Sequence, residues 1–71
     1  MDFFVYILYS ISADKFYTGS TNNLEKRLLQ HNSGYSKYTK SGIPWDLVYF
    51  EEFNTIAEAF NRENEIKAKK S

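Results

Sequence analysis

The sequence predicts a small α+β domain, in which helices cover one three-stranded antiparallel sheet in the order β-β-α-β-α. Three observations favour this class. The chain has 71 residues, which is the size of one domain near the lower limit for a stable core. Three short segments are rich in the β-branched and aromatic residues typical of strands. Two other segments begin with helix-capping residues and continue with apolar residues at helical spacing. We therefore expect residues 1–71 to form a single domain.

Two of the predicted strands lie close together near the N-terminus. Residues 3–9 and 15–20 are the strand-like segments, and residues 11–14 between them can form the turn of a hairpin. The third strand is predicted over residues 45–53. Alternation along it would place three side chains on one face: Leu47, Tyr49 and Glu51.

The first helix is predicted from Asn22 and Glu25, which are spaced like the two residues of a capping box. This helix should run to about Asn32, because Gly34 is a typical C-terminal stop. Residues 35–44 are polar and contain glycine and proline, so we expect a loop there.

The last helix is predicted from a capping box formed by Thr55 and Glu58, and it should run to about Lys69. Its apolar stripe consists of Ile56, Ala59, Phe60 and Ile66. Glu63 falls inside this stripe, and a carboxylate on the buried side of a helix is costly unless it is paired or bound to a cation. We therefore expect Glu63 either to form an ion pair with Arg27 or to hold a metal ion.

Several polar side chains are predicted to converge. If the hairpin register places Tyr6 and Tyr17 on one face, Gly19 leaves an open space beside the two phenols. Arg27 and His31 lie one turn apart on the first helix, beside the leucines that should face the sheet. A packed tyrosine or a partly buried helix histidine would explain any one of these residues alone.

The charges are balanced overall but unevenly distributed. Nine basic and nine acidic residues give a net charge of zero, which argues mildly against a nucleic-acid partner. Between positions 26 and 45, however, there are basic residues and no acid. A surface polarised in this way could hold a phosphate backbone, although lysines that only solvate a loop would give the same pattern.

Nucleic-acid contacts are predicted at two places. Gly19 and Ser20 lie where the second strand leads into the first helix, whose N-terminus favours anions. Lys37, Tyr38 and Lys40 form a basic loop with an aromatic ring that could stack on a base. The aromatic residues of this region could equally pack on the sheet edge or at a dimer contact.

The composition also indicates in which cellular compartment the protein is expected. The chain contains no cysteine, which excludes disulfides and thiolate zinc sites. No apolar run approaches the roughly 18 residues that a membrane span requires. We therefore expect a cytoplasmic protein without membrane association.

Together these residues resemble the GIY-YIG nuclease domain family. The likeness covers essentially the whole chain and rests on an ordered set: Val5-Tyr6-Ile7, Tyr17-Thr18-Gly19, Arg27 and Glu63. Val5 stands where the family has its first glycine and Thr18 where it has isoleucine, and neither position carries a reactive side chain in the family. The sequence is most similar to small stand-alone bacterial members that look like the nuclease subunit of excision repair. That closer likeness lies in residues 17–21, 30–32, 37–39 and 58–63.

The resemblance implies phosphodiester hydrolysis in DNA, in repair or processing, with one divalent metal ion. It implies that Glu63 ligates Mg²⁺ or Mn²⁺ and that Arg27 donates hydrogen bonds to phosphate oxygens. A phenol would accept the proton of the attacking water, and the resemblance favours Tyr17 as this base with Tyr6 as its hydrogen-bonding neighbour. His31 would contact phosphate or shuttle a proton.

Other functions stay open. The chain could be a nucleic-acid-binding module that keeps the fold but turns over little, or a structural interaction domain with a buried ion pair between Glu63 and Arg27. The substrate could be duplex, single-stranded or branched DNA, or RNA. Zero net charge indicates weak intrinsic affinity, so we expect a targeting partner or a homodimer to strengthen binding. The resemblance also implies that related members extend further at the C-terminus.

Overall fold

A computed structural model describes residues 2–69 and has the predicted α+β architecture. Its elements are β1 (Phe3–Ser10), β2 (Lys15–Thr21), α1 (Leu24–Asn32), a short 3₁₀ helix (Lys40–Gly42), β3 (Trp45–Phe53) and α2 (Ile56–Ala68). The sheet is antiparallel in the order β2-β1-β3, which confirms the predicted fold class. Met1, Lys70 and Ser71 lie outside the described residues, so the limits of the single domain stay a prediction. Neither α1 nor α2 is long and apolar enough to cross a membrane.

The hairpin of β1 and β2 forms as predicted. Its turn contains Asp14 with a positive φ of 52°, a conformation that aspartate tolerates better than most residues. The resulting register places Tyr6 opposite Gly19 and Leu8 opposite Tyr17. Directly opposed residues point to the same face, so both phenols lie on one side of the sheet.

One prediction for β3 is wrong. Leu8 of β1 pairs with Leu47, whereas Ile7 pairs with Tyr49, and the register shifts between them. Val48 is therefore the extra residue of a β-bulge. Because Ile7 and Leu8 point to opposite faces, Leu47 and Tyr49 do so as well, and the predicted common face is interrupted there.

Helix α1 has a different cap from the predicted one. The Asn23 side chain accepts a hydrogen bond from the backbone N–H of Lys26 (3.1 Å). The capping box with Asn22 is wrong, because Asn23 holds the extended cap conformation, with φ of −151°. The helix ends where predicted, before Gly34 with a φ of 79°. Its inner face is the predicted one, with half-buried Leu24, Arg27 and Leu28 and buried His31.

The predicted loop over residues 35–44 contains the 3₁₀ helix. The chain turns tightly because Gly42 lies against the indole of Trp45, which a Cβ at position 42 would overlap. Trp45 is only 5% exposed and joins the main core on the α1 side of the sheet. Its ring is therefore packed in the core, whereas Tyr35 and Tyr38 are exposed.

Helix α2 begins with the predicted capping box of Thr55 and Glu58. Part of its predicted apolar stripe is wrong, because Ile56 and Phe60 are exposed. The residues that face inward, fully or in part, are Ala59, Arg62, Glu63 and Ile66. In this orientation Arg62 forms an ion pair with Glu51 of β3. The guanidinium donates from Nε to Oε1 (3.0 Å) and from Nη2 to Oε2 (3.1 Å).

Candidate active site

Tyr6 is the centre of a cluster formed between β1, β2 and α1. Its ring is buried, and its Oη lies 3.0 Å from Nε2 of His31. Arg27, one turn earlier on α1, donates from Nε to the same oxygen (3.4 Å). The Tyr17 ring centroid lies 6.3 Å from that of Tyr6 and 5.0 Å from the His31 ring. The structure therefore brings Tyr6, Tyr17, Arg27 and His31 together.

Gly19 makes this arrangement possible. A Cβ at this position would lie 2.6 Å from Tyr6 Oη and 3.2 Å from Cε2 of Tyr17. The predicted open space beside the phenols is thus occupied by the phenol of Tyr6 itself. The residue opposite Tyr6 on β2 has to lack a side chain so that the Tyr6 hydroxyl can reach α1.

A loop residue that the sequence did not indicate completes the cluster. Thr39 Oγ1 lies 2.8 Å from Nδ1 of His31, and Thr39 is 2% exposed. The Thr39 carbonyl accepts a hydrogen bond from Nε1 of Trp45 (2.7 Å). Residues 37–39 belong to the segments that carry the closer family likeness, but no pattern in them assigns a role to this threonine. We call these residues the phenol cluster: Tyr6, Tyr17, Arg27, His31 and Thr39.

Burial and charge set the protonation states in the phenol cluster. Burial raises the pKa of Tyr6, and the hydrogen bond from Arg27 acts against this rise. Burial, and then the positive charge of Arg27, lower the pKa of His31. The hydrogen bond to Tyr6 raises the pKa of Arg27. Near neutral pH the cluster therefore holds a charged guanidinium beside a neutral imidazole.

Glu63 belongs to a second group of residues. Its Oε1 accepts a hydrogen bond from Oγ of Ser20 (2.8 Å), and its Oε2 pairs with Nζ of Lys67 (2.6 Å). The expected ion pair with Arg27 is wrong, because Arg27 donates to Tyr6 and Gln30 instead. The sequence could have indicated Lys67, since it follows Glu63 at the i, i+4 spacing of a helical ion pair. We call Ser20, Glu63 and Lys67 the carboxylate cluster.

The two clusters meet across strand β2. Gly19 lies against the phenol of Tyr6, and Ser20 donates a hydrogen bond to Glu63. Because consecutive strand residues point to opposite faces, these two contacts lie on opposite sides of β2. Within residues 2–69 no hydrogen bond joins Glu63 directly to the phenol cluster. A groove of about 910 Å³ reaches both, however, because Tyr17 and Lys67 line it together with Tyr38.

A divalent cation fits the carboxylate cluster. The described residues contain no group of three or more side chains of the usual metal-binding types. Magnesium commonly uses only one or two carboxylates, together with waters and substrate phosphates. Glu63 and Ser20 supply hard oxygen atoms, and the Lys67 ammonium already occupies a cation position at Oε2. Glu63 could therefore hold magnesium or manganese.

Of the residues predicted to contact nucleic acid, Tyr38 lines the groove. Lys37, Tyr38 and Lys40 are exposed, and the Tyr38 ring is 6.4 Å from the Tyr17 ring. Gly19 is buried and Ser20 is half-buried. Contact of these residues with nucleic acid stays a prediction.

Known proteins are similar to this chain in sequence, and a solved structure is similar to it in fold. A family described as the GIY-YIG catalytic domain matches residues 2–71. A UPF0213 protein of Natronomonas pharaonis is 41% identical over 68 residues, which are 94% of this chain and 79% of that protein. A UPF0213 protein of Clostridium perfringens is 51% identical over 65 residues, which are 90% of this chain and 69% of that protein. The solution NMR structure of a UPF0213 protein from Bacillus halodurans has a TM-score of 0.59 and 35% identity, and covers 99% of this chain and 74% of that one.

Proposed function

This chain belongs to the GIY-YIG family of catalytic domains, and from that premise we propose that it is a nuclease that hydrolyses phosphodiester bonds in DNA with one divalent metal ion. One observation carries the proposal. Two phenols, a neutral imidazole and a charged guanidinium are in contact at one face of the sheet. These groups can orient a water molecule, accept its proton and bind a phosphate oxygen, which are the tasks of phosphodiester hydrolysis.

The charged groups have distinct roles in this proposal. A magnesium or manganese ion at Glu63 would supply polarisation of the scissile phosphate and stabilisation of the leaving 3′-oxygen. Arg27 keeps its positive charge beside the phenols. Its guanidinium would donate to a non-bridging phosphate oxygen and offset the charge that develops in the transition state.

The contacts favour Tyr6 as the proton acceptor, although the family resemblance favours Tyr17. A free phenol has a pKa of about 10, so a phenolate needs nearby donors or cations. The Tyr6 hydroxyl oxygen accepts a hydrogen bond from the Nε–H of Arg27 and lies within hydrogen-bond distance of Nε2 of His31. As the water oxygen bonds to phosphorus, its proton would pass to the Tyr6 oxygen, and Tyr6 would pass its own hydroxyl proton to Nε2 of His31, which lies 3.0 Å away. The bond from phosphorus to the 3′-oxygen would break, and this oxygen would leave with the electron pair. Tyr17, beside them, would orient the water.

The groove beside Tyr17 and Lys67 is the proposed path of the nucleic-acid strand. Lys37 and Lys40 would contact its phosphates, and Tyr38 would stack on a base. Gly19 and Ser20 would lie where the strand enters the site. Zero net charge supports a targeting partner or a homodimer as a source of further affinity. We propose a role in DNA repair or processing in the cytoplasm, where DNA and Mg²⁺ are both present.

A second function has an observation of its own. Both carboxylate oxygens of Glu63 already have partners in Ser20 and Lys67. A nucleic-acid-binding module of this fold that turns over little could keep Glu63 in this arrangement without a metal ion. Metal binding therefore separates the two functions.

The test compares Glu63→Gln with the matched control Glu65→Gln, which removes an equal charge from an exposed position of α2. We expect Mn²⁺ binding by calorimetry, together with cleavage of some substrate in a panel of duplex, single-stranded and branched DNA and RNA. Both properties should disappear in Glu63→Gln and persist in Glu65→Gln, with circular dichroism showing that each variant is folded. Nucleic-acid binding without metal binding or cleavage would support the binding module instead. Cleavage that survives in Glu63→Gln would contradict the proposed role of this carboxylate.

A further inference from the structure

Lys67 connects the carboxylate cluster to the groove. Its Nζ lies 2.6 Å from Oε2 of Glu63, and its side chain is 53% exposed, against 13% for that of Glu63. Lys67 also lines the groove, together with Tyr17 of the phenol cluster and Tyr38 of the loop. Its ammonium group therefore lies between a carboxylate and the proposed path of the nucleic-acid strand.

The groove follows an edge of the sheet. In the order β2-β1-β3, strand β2 is an edge strand among the described residues. Phe16, Tyr17 and Thr18 all line the groove, and consecutive strand residues point to opposite faces. The groove therefore runs along the edge of β2 and is open to both faces of the sheet. A nucleic-acid strand in it could be contacted by Tyr17 from the α1 side and by Lys67 from the α2 side.

We propose that Lys67 is a substrate-binding residue with two alternative partners: it pairs with Glu63 in the empty site, and its ammonium binds a phosphate oxygen of the nucleic-acid strand when Glu63 holds a metal ion. This role rests on the proposed nuclease function, because that function places a phosphate in the groove and a cation at Glu63. It extends that function by giving the resting partner of Glu63 a part in substrate binding.

The distribution of charge in the groove favours Lys67 as the phosphate ligand. Among the described residues that line the groove, the charged ones are Asp14, Lys15 and Lys67. Asp14 lies in the hairpin turn and Lys15 begins β2, whereas Lys67 contacts the carboxylate that would hold the metal ion. A phosphate bound close to that carboxylate would therefore find a charged hydrogen-bond donor in Lys67.

The ammonium group also lies near the aromatic rings of the groove. The hydrogen bond to Glu63 raises the pKa of Lys67 most, and the phenols of Tyr17 and Tyr38 add to this rise. Lys67 is therefore positively charged near neutral pH, on the side of α2 that faces these two rings.

The contact with Glu63 is weak enough to be exchanged. An exposed ion pair at i, i+4 spacing changes an equilibrium constant by only about twofold. Lysine carries its ammonium on a flexible four-carbon stem with three donors, so Lys67 can turn to another acceptor while α2 stays in place. With a divalent cation at Glu63, the ammonium would be repelled from Oε2, and a phosphate oxygen in the groove would replace its lost partner.

This exchange couples the binding of the two ligands. In the empty site a metal ion has to displace Lys67 from Glu63. With a nucleic-acid strand in the groove, the ammonium is bound to phosphate and the carboxylate is free. Each ligand therefore strengthens the binding of the other by the same factor, which we expect to be about twofold. Lys67→Met should abolish this part of the coupling.

The experiment measures binding in a Tyr6→Phe background, which lacks the proposed proton acceptor and should not cut the probe. Fluorescence anisotropy gives the affinity for a labelled oligonucleotide, single-stranded or duplex, at several salt concentrations. Lys67→Met removes the ammonium and Lys67→Arg keeps a positive charge. Lys69→Met is the matched control, because it removes an equal charge at the C-cap of α2.

With Mg²⁺ present, we expect the slope of log affinity against log salt to become less steep in Lys67→Met. The loss of one phosphate contact changes this slope by about 0.7 for a single strand and about 0.9 for a duplex. Lys67→Arg should keep most of the slope, and Lys69→Met should change it less. In EDTA the effect of Lys67→Met should be smaller, because Lys67 then has Glu63 as an alternative partner. The gain in affinity on adding Mg²⁺ should be about twofold larger with Lys67 than with methionine.

Equal salt slopes for Lys67→Met and Lys69→Met, with circular dichroism showing that both are folded, would overturn the proposal. An equal gain from Mg²⁺ with lysine and with methionine would do so as well. If either result is found while the unmodified chain cuts nucleic acid, only the role of Lys67 is contradicted and the nuclease function stands. If the slope changes as expected but the unmodified chain cuts no substrate, the phosphate contact is supported and the nuclease function is contradicted.

Discussion

The phenol cluster and the carboxylate cluster lie on opposite faces of strand β2 and are held by different forces. In the phenol cluster, Tyr6, His31 and Thr39 are almost fully buried and are joined by hydrogen bonds between neutral groups. In the carboxylate cluster the side chains of Glu63 and Lys67 are 13% and 53% exposed and form an ion pair.

This difference indicates a division of tasks within one small domain. Buried hydrogen bonds are fixed by the packing around them and are hardly screened by salt. An exposed helical ion pair contributes only about 0.3–0.5 kcal/mol and can exchange its cation. The phenol cluster is therefore preorganised, while the ion pair of the carboxylate cluster can open, as the proposed cation site at Glu63 requires.

The largest effect on stability and cleavage is expected from a side chain at Gly19, because it would overlap the phenol of Tyr6. Gly19→Ala would place a methyl group 2.6 Å from the Tyr6 hydroxyl, and the ring, only 2% exposed, would have to shift within the core. We expect the free energy of unfolding, measured by urea denaturation, to fall by about 1–3 kcal/mol. Cleavage should be lost with the displaced hydrogen bond between Tyr6 and His31.

The matched control for this substitution is the same change in a Tyr6→Phe background. Without the hydroxyl, the methyl group loses its shortest contact and keeps those with the Tyr6 ring carbon (2.8 Å) and with Cε2 of Tyr17 (3.2 Å), so Gly19→Ala should cost less stability there. An equal cost in both backgrounds would show that the phenol oxygen is not what excludes a side chain at position 19.

A smaller effect on stability is expected from the titration of the buried His31 imidazole. The pKa of His31 is lowered in the folded chain, so as the pH falls below about 6.5 the unfolded chain binds a proton that the folded chain does not. Stability should therefore decrease with falling pH until the lowered pKa is reached. One proton limits the slope to about 1.4 kcal/mol per pH unit. Urea denaturation at several pH values above about 5 measures this slope.

His31→Gln is the control for the pH dependence, because glutamine does not titrate. Carboxylates titrate mainly near pH 4, so stability of this variant should change little over the same range. Identical profiles for the two proteins would contradict a neutral, buried His31.

The sequence predicted the fold well because the signals for its elements are local. The capping box at Thr55 and the stop at Gly34 depend on neighbouring residues, and both are confirmed. The bulge at Val48 and the outward position of Phe60 depend on contacts between distant segments. No local pattern carries that information, since the inward face of α2 includes Arg62, whose partner Glu51 lies on another element of the fold.

The site was predictable only where a side chain is unusual for its position. Glu63 is such a residue, because a carboxylate stands in the predicted apolar stripe of α2. Arg27 and His31 are others, because their helical spacing places them beside the leucines of α1. Thr39 has no such signal, because its contact with His31 depends on the folded loop that also contacts Trp45. A threonine in a polar loop has no property that distinguishes it before the loop is folded.

The smallest effect is expected in the carboxylate cluster, where Lys67 and a divalent cation would compete for Glu63. Lys67→Met removes the ammonium but keeps most of the apolar side chain, so Mn²⁺ should bind more tightly. An exposed pair worth about 0.5 kcal/mol corresponds to roughly a twofold gain in affinity, measurable by calorimetry. Lys69→Met is the matched control, since it removes an equal charge beyond the end of α2 without contact to Glu63, and it should change the affinity less. Weaker Mn²⁺ binding in Lys67→Met would mean that the ammonium holds the carboxylate in place for the metal ion instead of competing with it.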